Sequence, residues 1–549
     1  MKGIKSKRRW VGGLALCLVL SHGLLAATHD DVAEPQALSE VLMQRLAALP
    51  ENDLPVDAFY RLHENQPVWQ EEAAVEALVK ALEQLEDDGL EPENYQASQL
   101  LAAYRQAQQA SADTQAAFEI RATRQLLLAL DHLERGKINP RETVENWEAE
   151  LDSRRYNLAK VVQGVDARNL DAVFALARPG TSEYQSLRDA LRYYRGLANQ
   201  PAQASLGYLP SRDEALRPGM AHEDVALLRR RLVQVGEPEV MRADSNAYPE
   251  IAVSSPQPLY FDETLEAAVK RFQRRHLLEA DGVIGRQTLA ALNTSLSSRI
   301  DQLRVNLERA RWLTSIPRDT PRVWVDVAGY RLHYFRPDGG LWRSKVVVGR
   351  TGRDTPIIHS AITHLTLNPS WTLPPTILRE DVLPEVRRDQ EYLTRKNIRV
   401  LNANGERLSP NSVDWSAPGN IMLRQVAGPG NPLGDVVIRF PNDHMIYLHD
   451  TPAQGLFKHE QRALSSGCVR VENAEEFAQL LLEDSGSKQR LSRLLNGSSS
   501  DRTVRLPQHI PVALDYLTAW PDAQGNVEFR PDIYQRDQKV LAELQRPLR

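Results

Sequence analysis

The sequence holds only two cysteines, so at most one disulfide bond could stabilise its fold. Cys17 lies in an apolar run near the N-terminus, and Cys468 lies in the string SSGCVR at 465–470. The fold must therefore rest on hydrophobic cores, and a hydrophobic content of 42% is ordinary for globular domains that have them. At about 150 residues per domain, a chain of 549 residues predicts three or four folded units.

Residues 1–27 have the pattern of a signal peptide. Five basic residues between Lys2 and Arg9 precede the apolar segment 10–25, and Ala26 and Ala27 offer a cleavage site. This segment of about 16 residues falls short of the roughly 20 that a spanning helix needs. We therefore expect an exported chain that is peripheral to a membrane at most, with an uncleaved anchor as the alternative.

Cleavage of that segment leaves Cys468 as the one thiol of the mature chain. An unpaired cysteine is a liability in an oxidising compartment, so its presence predicts that the thiol is needed as a nucleophile. Without the five basic residues of the leader, 62 Lys and Arg face 72 Asp and Glu, which gives a net charge of about −10. Such a chain, with no long basic run, is a poor candidate for binding nucleic acid.

Hydrophobic patterning divides the chain into units of a multidomain α+β protein. Residues 35–200 show apolar positions at helical spacing and no chemical motif, which predicts a helical scaffold domain. Residues 222–294 predict a compact helical unit, and residues 320–495 predict a β-rich domain. The Pro-rich stretch 368–419 interrupts the strands and is interpreted as a lid insertion. Residues 502–549 are expected to form C-terminal strands and a tail.

The compact helical unit resembles the small three-helix peptidoglycan-binding domain. The resemblance rests on the phrases AAVKRFQRRH and DGVIGRQTLAALN, which end at residues 276 and 293. Gly282 and Gly285 are expected to supply the backbone freedom of its tight turn. Residues 236–259 are an insertion relative to that domain, and a purely structural spacer is the alternative role of the unit.

A histidine precedes the thiol along the chain. If residues 442–449 form a strand, Tyr447 and His449 share one face and His444 points to the other. A thiol with an ordinary pKa near 8.5 is mostly protonated at neutral pH, so an efficient nucleophile needs a nearby base. His449 is the best-placed candidate, while His459 lies in a charged loop where a solvated side chain is expected.

The whole phrase around these residues is a stronger signal than their spacing. The strings IYLHDTP at 446–452 and RALSSGCVRVEN at 462–473 resemble the active-site signature of the L,D-transpeptidases, the YkuD-like cysteine enzymes that act on bacterial cell-wall peptides. NLERARW at 306–312 and GPGNPLG at 428–434 also match the family. The resemblance implies a large periplasmic Gram-negative type, with a helical scaffold, a peptidoglycan-binding domain and a β-rich catalytic domain with a lid.

The resemblance also implies roles for single residues. It implies that Cys468 attacks a peptide carbonyl and that His449 acts as its base and later as the acid for the leaving amine. Amide groups around Gly467 and Cys468 are expected to hold the oxyanion. Pocket positions matched by the resemblance are Tyr447, Ser466, Gly467 and Arg470. Arg470 either binds a substrate carboxylate or pins the loop, and Trp371 and Trp415 either line the lid or belong to its core.

The implied reaction is acyl transfer between peptidoglycan stems in the periplasm. Cys468 takes the acyl group of meso-diaminopimelate from a tetrapeptide stem as a thioester, and a second stem resolves it into a cross-link between third residues. The resemblance implies no cofactor. The sequence shows no cluster of His, Asp or Glu residues at the spacing of a zinc site, so no metal is predicted. It implies peptidoglycan stems and glycan as partners, cell-wall synthases or carboxypeptidases as further candidates, and carbapenems as acylating inhibitors.

Three other functions stay open at this point. A hydrolase with the same residues, either an L,D-carboxypeptidase or an endopeptidase, differs only in that water replaces the amine. A papain-like peptidase fits less well, because its cysteine normally precedes its histidine and here His449 precedes Cys468. A non-catalytic wall-binding scaffold with an inert buried thiol is the alternative from a different class.

Overall fold

The computed structural model describes residues 35–50, 54–149, 156–235, 259–313, 320–496 and 500–548. The predicted signal peptide and all but one residue of the predicted insertion at 236–259 lie outside these ranges. In the described part of the chain, no helix is both long and apolar enough to cross a membrane. The architecture is the predicted multidomain α+β arrangement, with helices first and a β-rich domain later.

Helices form the scaffold region because apolar residues recur on one face of each. In α3, for example, Val75, Leu78 and Leu82 are fully buried. The long helix α5 begins after Ser111, whose hydroxyl accepts a hydrogen bond from the Thr114 amide at 3.4 Å. The helices are α1 Pro35–Ala47, α2 Leu54–Leu62, α3 Glu72–Glu83, α4 Ala97–Gln108, α5 Ala112–Arg135, α6 Pro140–Thr143, α7 Leu158–Asp166, α8 Leu170–Ala177, α9 Ser182–Ala198 and α10 Pro201–Ala204. Strand β1, Trp147–Glu148, lies between α6 and α7.

The small unit that follows has the three predicted helices, α11 Asp224–Gln234, α12 Glu263–Arg275 and α13 Arg286–Leu292. They enclose a separate core that includes Leu265, Val269 and Phe272. Gly282 has a φ of 81°, as the predicted turn requires. Gly285 has a φ of −77° and needs no glycine, so the expectation for that residue was wrong.

Helix α14, Leu296–Trp312, joins the scaffold to the β-rich domain and contains the phrase NLERARW. Asn306 accepts a hydrogen bond from the Thr518 amide at 2.9 Å, on the β-rich side. Glu308 accepts one from the Ile138 amide at 2.8 Å, on the scaffold side, and pairs with Arg311 at 2.6 Å. All of these groups are buried. Helix α14 therefore connects the scaffold and the β-rich domain through polar contacts that need a specific partner on each side.

The β-rich domain is built on a sheet that closes on itself. Eight strands follow one another in the order β2, β3, β4, β13, β11, β10, β5 and β14, and β14 then pairs with β2. Alternate side chains of these strands fill the core, among them Val323, Leu332 and Val346. The strands and neighbouring helices are β2 Arg322–Asp326, β3 Arg331–Phe335, β4 Leu341–Gly349, β5 Ile357–Leu367, β10 Val436–Arg439, β11 Leu448–His449, β12 Ala463–Ser465, β13 Val469–Val471, α18 Ala474–Asp484, α19 Leu491–Asn496 and β14 Arg502–Asp515.

The C-terminal residues are part of this sheet and not a separate appendage. Strand β14 pairs along most of β5, from Arg502 opposite Leu367 to Leu514 opposite Ile358, and it also pairs in parallel with β2. Residues 502–549, which the sequence analysis treated as a separate unit, therefore complete the sheet of the β-rich domain. They continue as β15 Ala519–Pro521, β16 Val527–Phe529 and α20 Asp537–Gln545, a helix that the sequence analysis did not predict.

The Pro-rich insertion folds as a small unit with its own core, which contains Val386, Val400 and Leu423. Its four-stranded sheet includes β9, so the folded unit extends past the predicted end at residue 419. Trp415 is buried in this core and donates from its indole to the Pro410 carbonyl at 3.0 Å. The elements are β6 Trp371–Thr372, α15 Pro375–Ile377, a π-helix Leu378–Val382, α16 Leu383–Arg388, α17 Glu391–Arg395, β7 Ile398–Asn402, β8 Arg407–Leu408 and β9 Ile421–Gln425.

Replacing Glu308 by alanine should weaken the joint between scaffold and sheet. The change removes the carboxylate that pairs with the buried Arg311 guanidinium and accepts from the Ile138 amide, and breaking a buried ion pair typically costs about 3–5 kcal/mol. Chemical denaturation followed by tryptophan fluorescence measures the effect. Arg395→Ala, which removes an exposed ion pair with Asp389, is the control and should leave the transition unchanged. A Glu308→Ala transition equal to that of the control contradicts the assigned role.

Candidate functional site

Two short strands bring the predicted site residues onto one face of the sheet. Strands β11 and β13 pair in parallel, with Leu448 opposite Val469 and His449 opposite Arg470. Leu448 and Val469 point into the core, where both are fully buried. Since side chains alternate along a strand, His449 and Arg470 occupy the other face. The Val469 amide also donates to the Tyr447 carbonyl at 3.1 Å. Tyr447 and Cys468 directly precede the paired residues Leu448 and Val469, so they lie side by side on the same face as His449 and Arg470.

The segment before His449 is a tight turn and not the predicted strand. Met445 has a φ of 56° and is 69% exposed, and only Leu448–His449 is a strand. The Asn442 side chain closes the turn, because it accepts from the Ile446 amide at 2.9 Å and donates to the Ile446 carbonyl at 2.8 Å. Glu148 of the scaffold region accepts from the Asp443 amide at 2.6 Å. The helical region thus supports this turn directly.

Hydrogen bonds also fix the loop that carries the thiol. Gly467 has a φ of 116°, and its carbonyl accepts from the Thr355 hydroxyl at 2.7 Å. The Ser465 hydroxyl donates to the Cys468 carbonyl at 2.6 Å and accepts from the Gly467 amide at 3.2 Å. A side chain at 467 would be strained, so glycine sets the shape of the loop before Cys468. The predicted use of the Gly467 amide as an oxyanion donor conflicts with its bond to Ser465.

His449 is held as a neutral imidazole with a defined tautomer. Burial first, and then Arg470, lower the pKa of His449 to about 3. Its Nδ1 lies 2.5 Å from the Asp450 carbonyl oxygen, which can only accept a hydrogen bond. The ring proton is therefore on Nδ1, and Nε2 carries the lone pair. A neutral imidazole of this kind can take up a proton.

The Cys468 thiol is favoured in its neutral form. Burial raises the pKa of Cys468, and contacts with Tyr447 and the charges of Arg439 and Arg470 offset part of that effect. The thiol contacts the Met445 carbonyl at 3.8 Å. An inert buried thiol would also have a raised pKa, but Cys468 is only partly buried and lines a cavity. Cys468 and His449 thus line the same cavity, each in its neutral form.

A cavity of about 1110 Å³ opens in front of these residues. The catalytic-sheet side of it includes Tyr447, His449, Gly467, Cys468 and Arg470, so the structure brings the predicted site residues together. The insertion forms the opposite wall through segment 371–377 and, beyond it, Asp381, Val382 and Tyr392. Trp371 lines the cavity, whereas Trp415 belongs to the core of the insertion. The insertion therefore forms one wall of the site, and its role as a lid stays a prediction.

An arginine ties the insertion to the thiol loop. Arg353, which follows β4, pairs with Asp381 at 2.5 Å and with Glu380 at 2.6 Å, both in the π-helix. The same guanidinium donates to the Ser466 hydroxyl at 2.8 Å. Ser466 is thus placed at the point where insertion and loop meet, two residues from the thiol. No sequence motif singled out Arg353, because its partners are more than 25 residues away along the chain.

The two competing histidines take different positions. His459 is exposed and does not belong to the cavity lining, as predicted. His444 lines the cavity, although the sequence analysis placed it on the opposite face from His449. That prediction was wrong because it assumed regular alternation across a segment that turns at Met445.

Three carboxylates that the sequence analysis did not group lie behind the histidine strand. One oxygen each of Asp435, Asp450 and Glu475 lies within 4.8 Å of the others, a spacing that a cation could bridge. Burial raises the pKa of Asp435 and Glu475, and repulsion from the neighbouring acids adds to it. The predicted absence of a metal stays a prediction.

Comparison with known proteins assigns each region to a family. Residues 320–491 match the model of the L,D-transpeptidase catalytic domain (YkuD), residues 55–191 match a scaffold domain, and residues 221–292 match the "Putative peptidoglycan binding domain". The chain thus contains an L,D-transpeptidase catalytic domain of the YkuD family, together with a scaffold domain and a peptidoglycan-binding domain. This finding confirms the predicted family and the predicted fold class.

A curated relative of this chain is found in Haemophilus influenzae. It is described as "Putative L,D-transpeptidase" and is 36% identical over 276 residues, which cover 49% of this chain and 55% of that protein. The match thus spans about half the length of the relative. Solved L,D-transpeptidase structures from Xylanimonas cellulosilytica and Stackebrandtia nassauensis are 17% and 16% identical, with TM-scores of 0.17 and 0.20. They cover 56% and 54% of this chain, and 100% and 96% of their own chains.

The raised pKa of the thiol predicts how Cys468 reacts with an alkylating reagent at different pH. The rate of alkylation of the resting protein should keep rising with pH beyond the ordinary cysteine value of about 8.5. Mass spectrometry of the peptide that contains Cys468, after timed exposure to iodoacetamide, gives the rate. A plateau already reached near neutral pH would show a thiolate–imidazolium pair and contradict this assignment.

The contact between Glu148 and Asp443 predicts that the scaffold region steadies the turn. In Glu148→Ala the Asp443 amide loses a charge-assisted acceptor and should exchange its hydrogen about 10-fold faster or more. Hydrogen exchange of the peptide covering 442–447 tests this. Glu148→Gln keeps an acceptor and should show a smaller change, and Glu142→Ala, in the same region, should show none. Equal protection in all three variants would disprove the contact.

Proposed function

We propose that this chain forms cross-links between the third residues of peptidoglycan stems, through a thioester on Cys468. The main support is that the pairing of β11 with β13 sets Cys468, Tyr447 and His449 on one face of the sheet, in front of a cavity. The family of the catalytic domain and the peptidoglycan-binding unit support peptidoglycan as the substrate class.

In the first step His449 Nε2 takes the proton of the Cys468 thiol as the sulfur attacks the carbonyl carbon of the L-centre of meso-diaminopimelate. The resulting oxyanion is held by backbone amides. The Cys468 amide is the better candidate, since Gly467 donates to Ser465, and such a donor is worth about 3 kcal/mol. The imidazolium then gives its proton to the nitrogen of the terminal D-alanine. The C–N bond breaks, D-alanine leaves, and the thioester remains.

In the second step the neutral side-chain amine of diaminopimelate on another stem attacks the thioester carbonyl. His449 accepts a proton from the attacking nitrogen, the C–S bond breaks, and the proton passes to the Cys468 sulfur. The products are an amide cross-link and the original thiol with a neutral imidazole.

The size of the cavity and the wall that the insertion forms favour transfer over hydrolysis. A volume of about 1110 Å³ is above the usual range of roughly 300–1,000 Å³ for a site that holds one small ligand. It offers room for the acyl stem and an acceptor together. Arg353 holds the insertion at one wall of the site, and a wall at this position limits access of water to the thioester.

We further propose the periplasm as the compartment of this reaction. The proposal draws on the signal-peptide pattern of residues 1–27 and on the substrate class, since peptidoglycan lies outside the cytoplasmic membrane. Carbapenems, which present a strained carbonyl to the same thiol, are proposed as inhibitors on the same basis.

Variants of the two central residues test the mechanism. Cys468→Ala should abolish the conversion of purified tetrapeptide stems while the protein stays folded. His449→Ala should slow it by about 10²–10⁴-fold, because the general base is lost. His459→Ala removes an exposed histidine outside the cavity and should react like the parent.

Mass spectrometry of the reaction products separates the candidate activities. Cross-linked dimers with release of D-alanine support the transferase, whereas shortened monomers alone would identify an L,D-carboxypeptidase. No change in the stems would point to a non-catalytic wall-binding role. Cross-linking retained by Cys468→Ala would contradict the proposed nucleophile.

A further inference from the structure

We propose that Arg439 binds the α-carboxylate of the residue on the amine side of the reacting bond, and so selects stems with a free carboxylate at that position. The inference rests on the proposed function and adds a specificity-determining residue that lies outside the active-site phrases. It follows from the place of Arg439 in the sheet, from its partners and from the chemistry of the stem.

Arg439 lies in one row with the nucleophile. Strand β10 pairs with β11 so that Ile438 is opposite Leu448, and one residue further Arg439 comes to lie beside Tyr447. Its guanidinium carbon lies 4.5 Å from the centre of the Tyr447 ring. Tyr447 in turn lies beside Cys468, so the row across three strands is Arg439, Tyr447 and Cys468. All three residues line the cavity.

No carboxylate of the described residues neutralises the charge of Arg439. Among the described residues, no carboxylate oxygen lies within 4.0 Å of its guanidinium nitrogens. Other arginines of the cavity differ: Arg353 pairs with Glu380 and Asp381, and Arg350 lies 3.5 Å from Asp381. Arg439 also acts electrostatically on Cys468 and His449, which places its charge close to the reacting atoms. A partly buried arginine that has no acidic partner among the described residues is suited to bind an anionic ligand.

Arg470 adds a second cation to the cavity. It lines the cavity, and its Nε is buried without a hydrogen-bond partner in the described part of the chain. Arg470 lies opposite His449, in the row next to that of Arg439, Tyr447 and Cys468. The cavity therefore presents two arginines near the thiol, which favours a substrate with carboxylate groups.

The chemistry of the stem indicates which carboxylate Arg439 binds. In a tetrapeptide the α-carboxylate of D-alanine is three bonds from the attacked carbonyl carbon, a separation of about 3–4 Å. The acceptor has the same arrangement, because its amine and a carboxylate share the D-centre carbon of diaminopimelate. One arginine beside the thiol can thus bind the leaving residue in the first step and the incoming residue in the second.

A stem that ends in D-alaninamide separates this role from a structural one. Wild-type protein should release D-alanine from the free-acid tetrapeptide with a kcat/KM about 10- to 100-fold above that for release of D-alaninamide. In Arg439→Gln this ratio should fall towards one through loss of activity on the acid alone, and Arg439→Lys should restore part of it. The fraction of cross-linked dimer should fall as well. If the guanidinium only supported the Tyr447 ring, Arg439→Gln would slow the reactions of both peptides equally. The ratio of acid to amide turnover would then stay unchanged, and this result would overturn the inference.

The control measurements distinguish a failure of the role proposed for Arg439 from a failure of the proposed function. Arg399→Ala removes an exposed arginine of the insertion sheet that does not line the cavity, and its ratio should equal that of wild type. Circular dichroism and the melting temperature show whether each variant is folded. Wild-type turnover with equal rates on acid and amide would overturn the role of Arg439 and leave the proposed function standing. No turnover of either stem by wild-type protein would overturn both.

Discussion

The pairing of β11 with β13 is the contact on which the site depends. These strands have two and three residues, and their parallel register puts Leu448 and Val469 into the core. Burial of those side chains fixes which residues point outward, because a shift by one residue would reverse the faces. The outward set is Cys468, Arg470, Tyr447 and His449. The reactive pair is therefore held by core packing and by the closed sheet around it.

The rest of the molecule supports these two strands from outside. The scaffold region supplies Glu148 to the turn before His449, and α14 fastens that region to the sheet through Glu308. The insertion forms one wall of the cavity and is tied to the thiol loop by Arg353. The long C-terminal strand closes the sheet. Each region thus acts on the geometry around Cys468.

Much of the fold could be predicted from local sequence. Helical periodicity in the scaffold reflects the burial of residues such as Leu78, and the phrase around the thiol singled out Cys468 and His449, which line one cavity in the structure. Contacts between distant parts of the chain could not be predicted. The pairing of Arg502 with Leu367 joins segments 135 residues apart, and no local pattern records it. The position of His444 was missed because a turn at Met445 interrupts the alternation.

Functional residues without a motif were missed for a related reason. Arg439 ends an apolar strand, and by sequence alone it looks like an ordinary surface charge. Its significance depends on Tyr447 across the sheet and on the lack of a carboxylate partner among the described residues. Arg353 and Glu148 likewise gain meaning only from contacts made through the fold. Such residues become visible once side chains from several strands are placed together.

The central claim is that the Cys468 sulfur carries the acyl group of a stem during the reaction. Rapid quenching of the wild-type protein with a tetrapeptide stem, followed by intact-mass and peptide-level mass spectrometry, tests it most directly. The account predicts an adduct on Cys468 with the mass of the stem minus D-alanine, which neutral hydroxylamine removes as expected for a thioester. Continued release of D-alanine with Cys468 unmodified throughout, or an adduct on another residue, would contradict it.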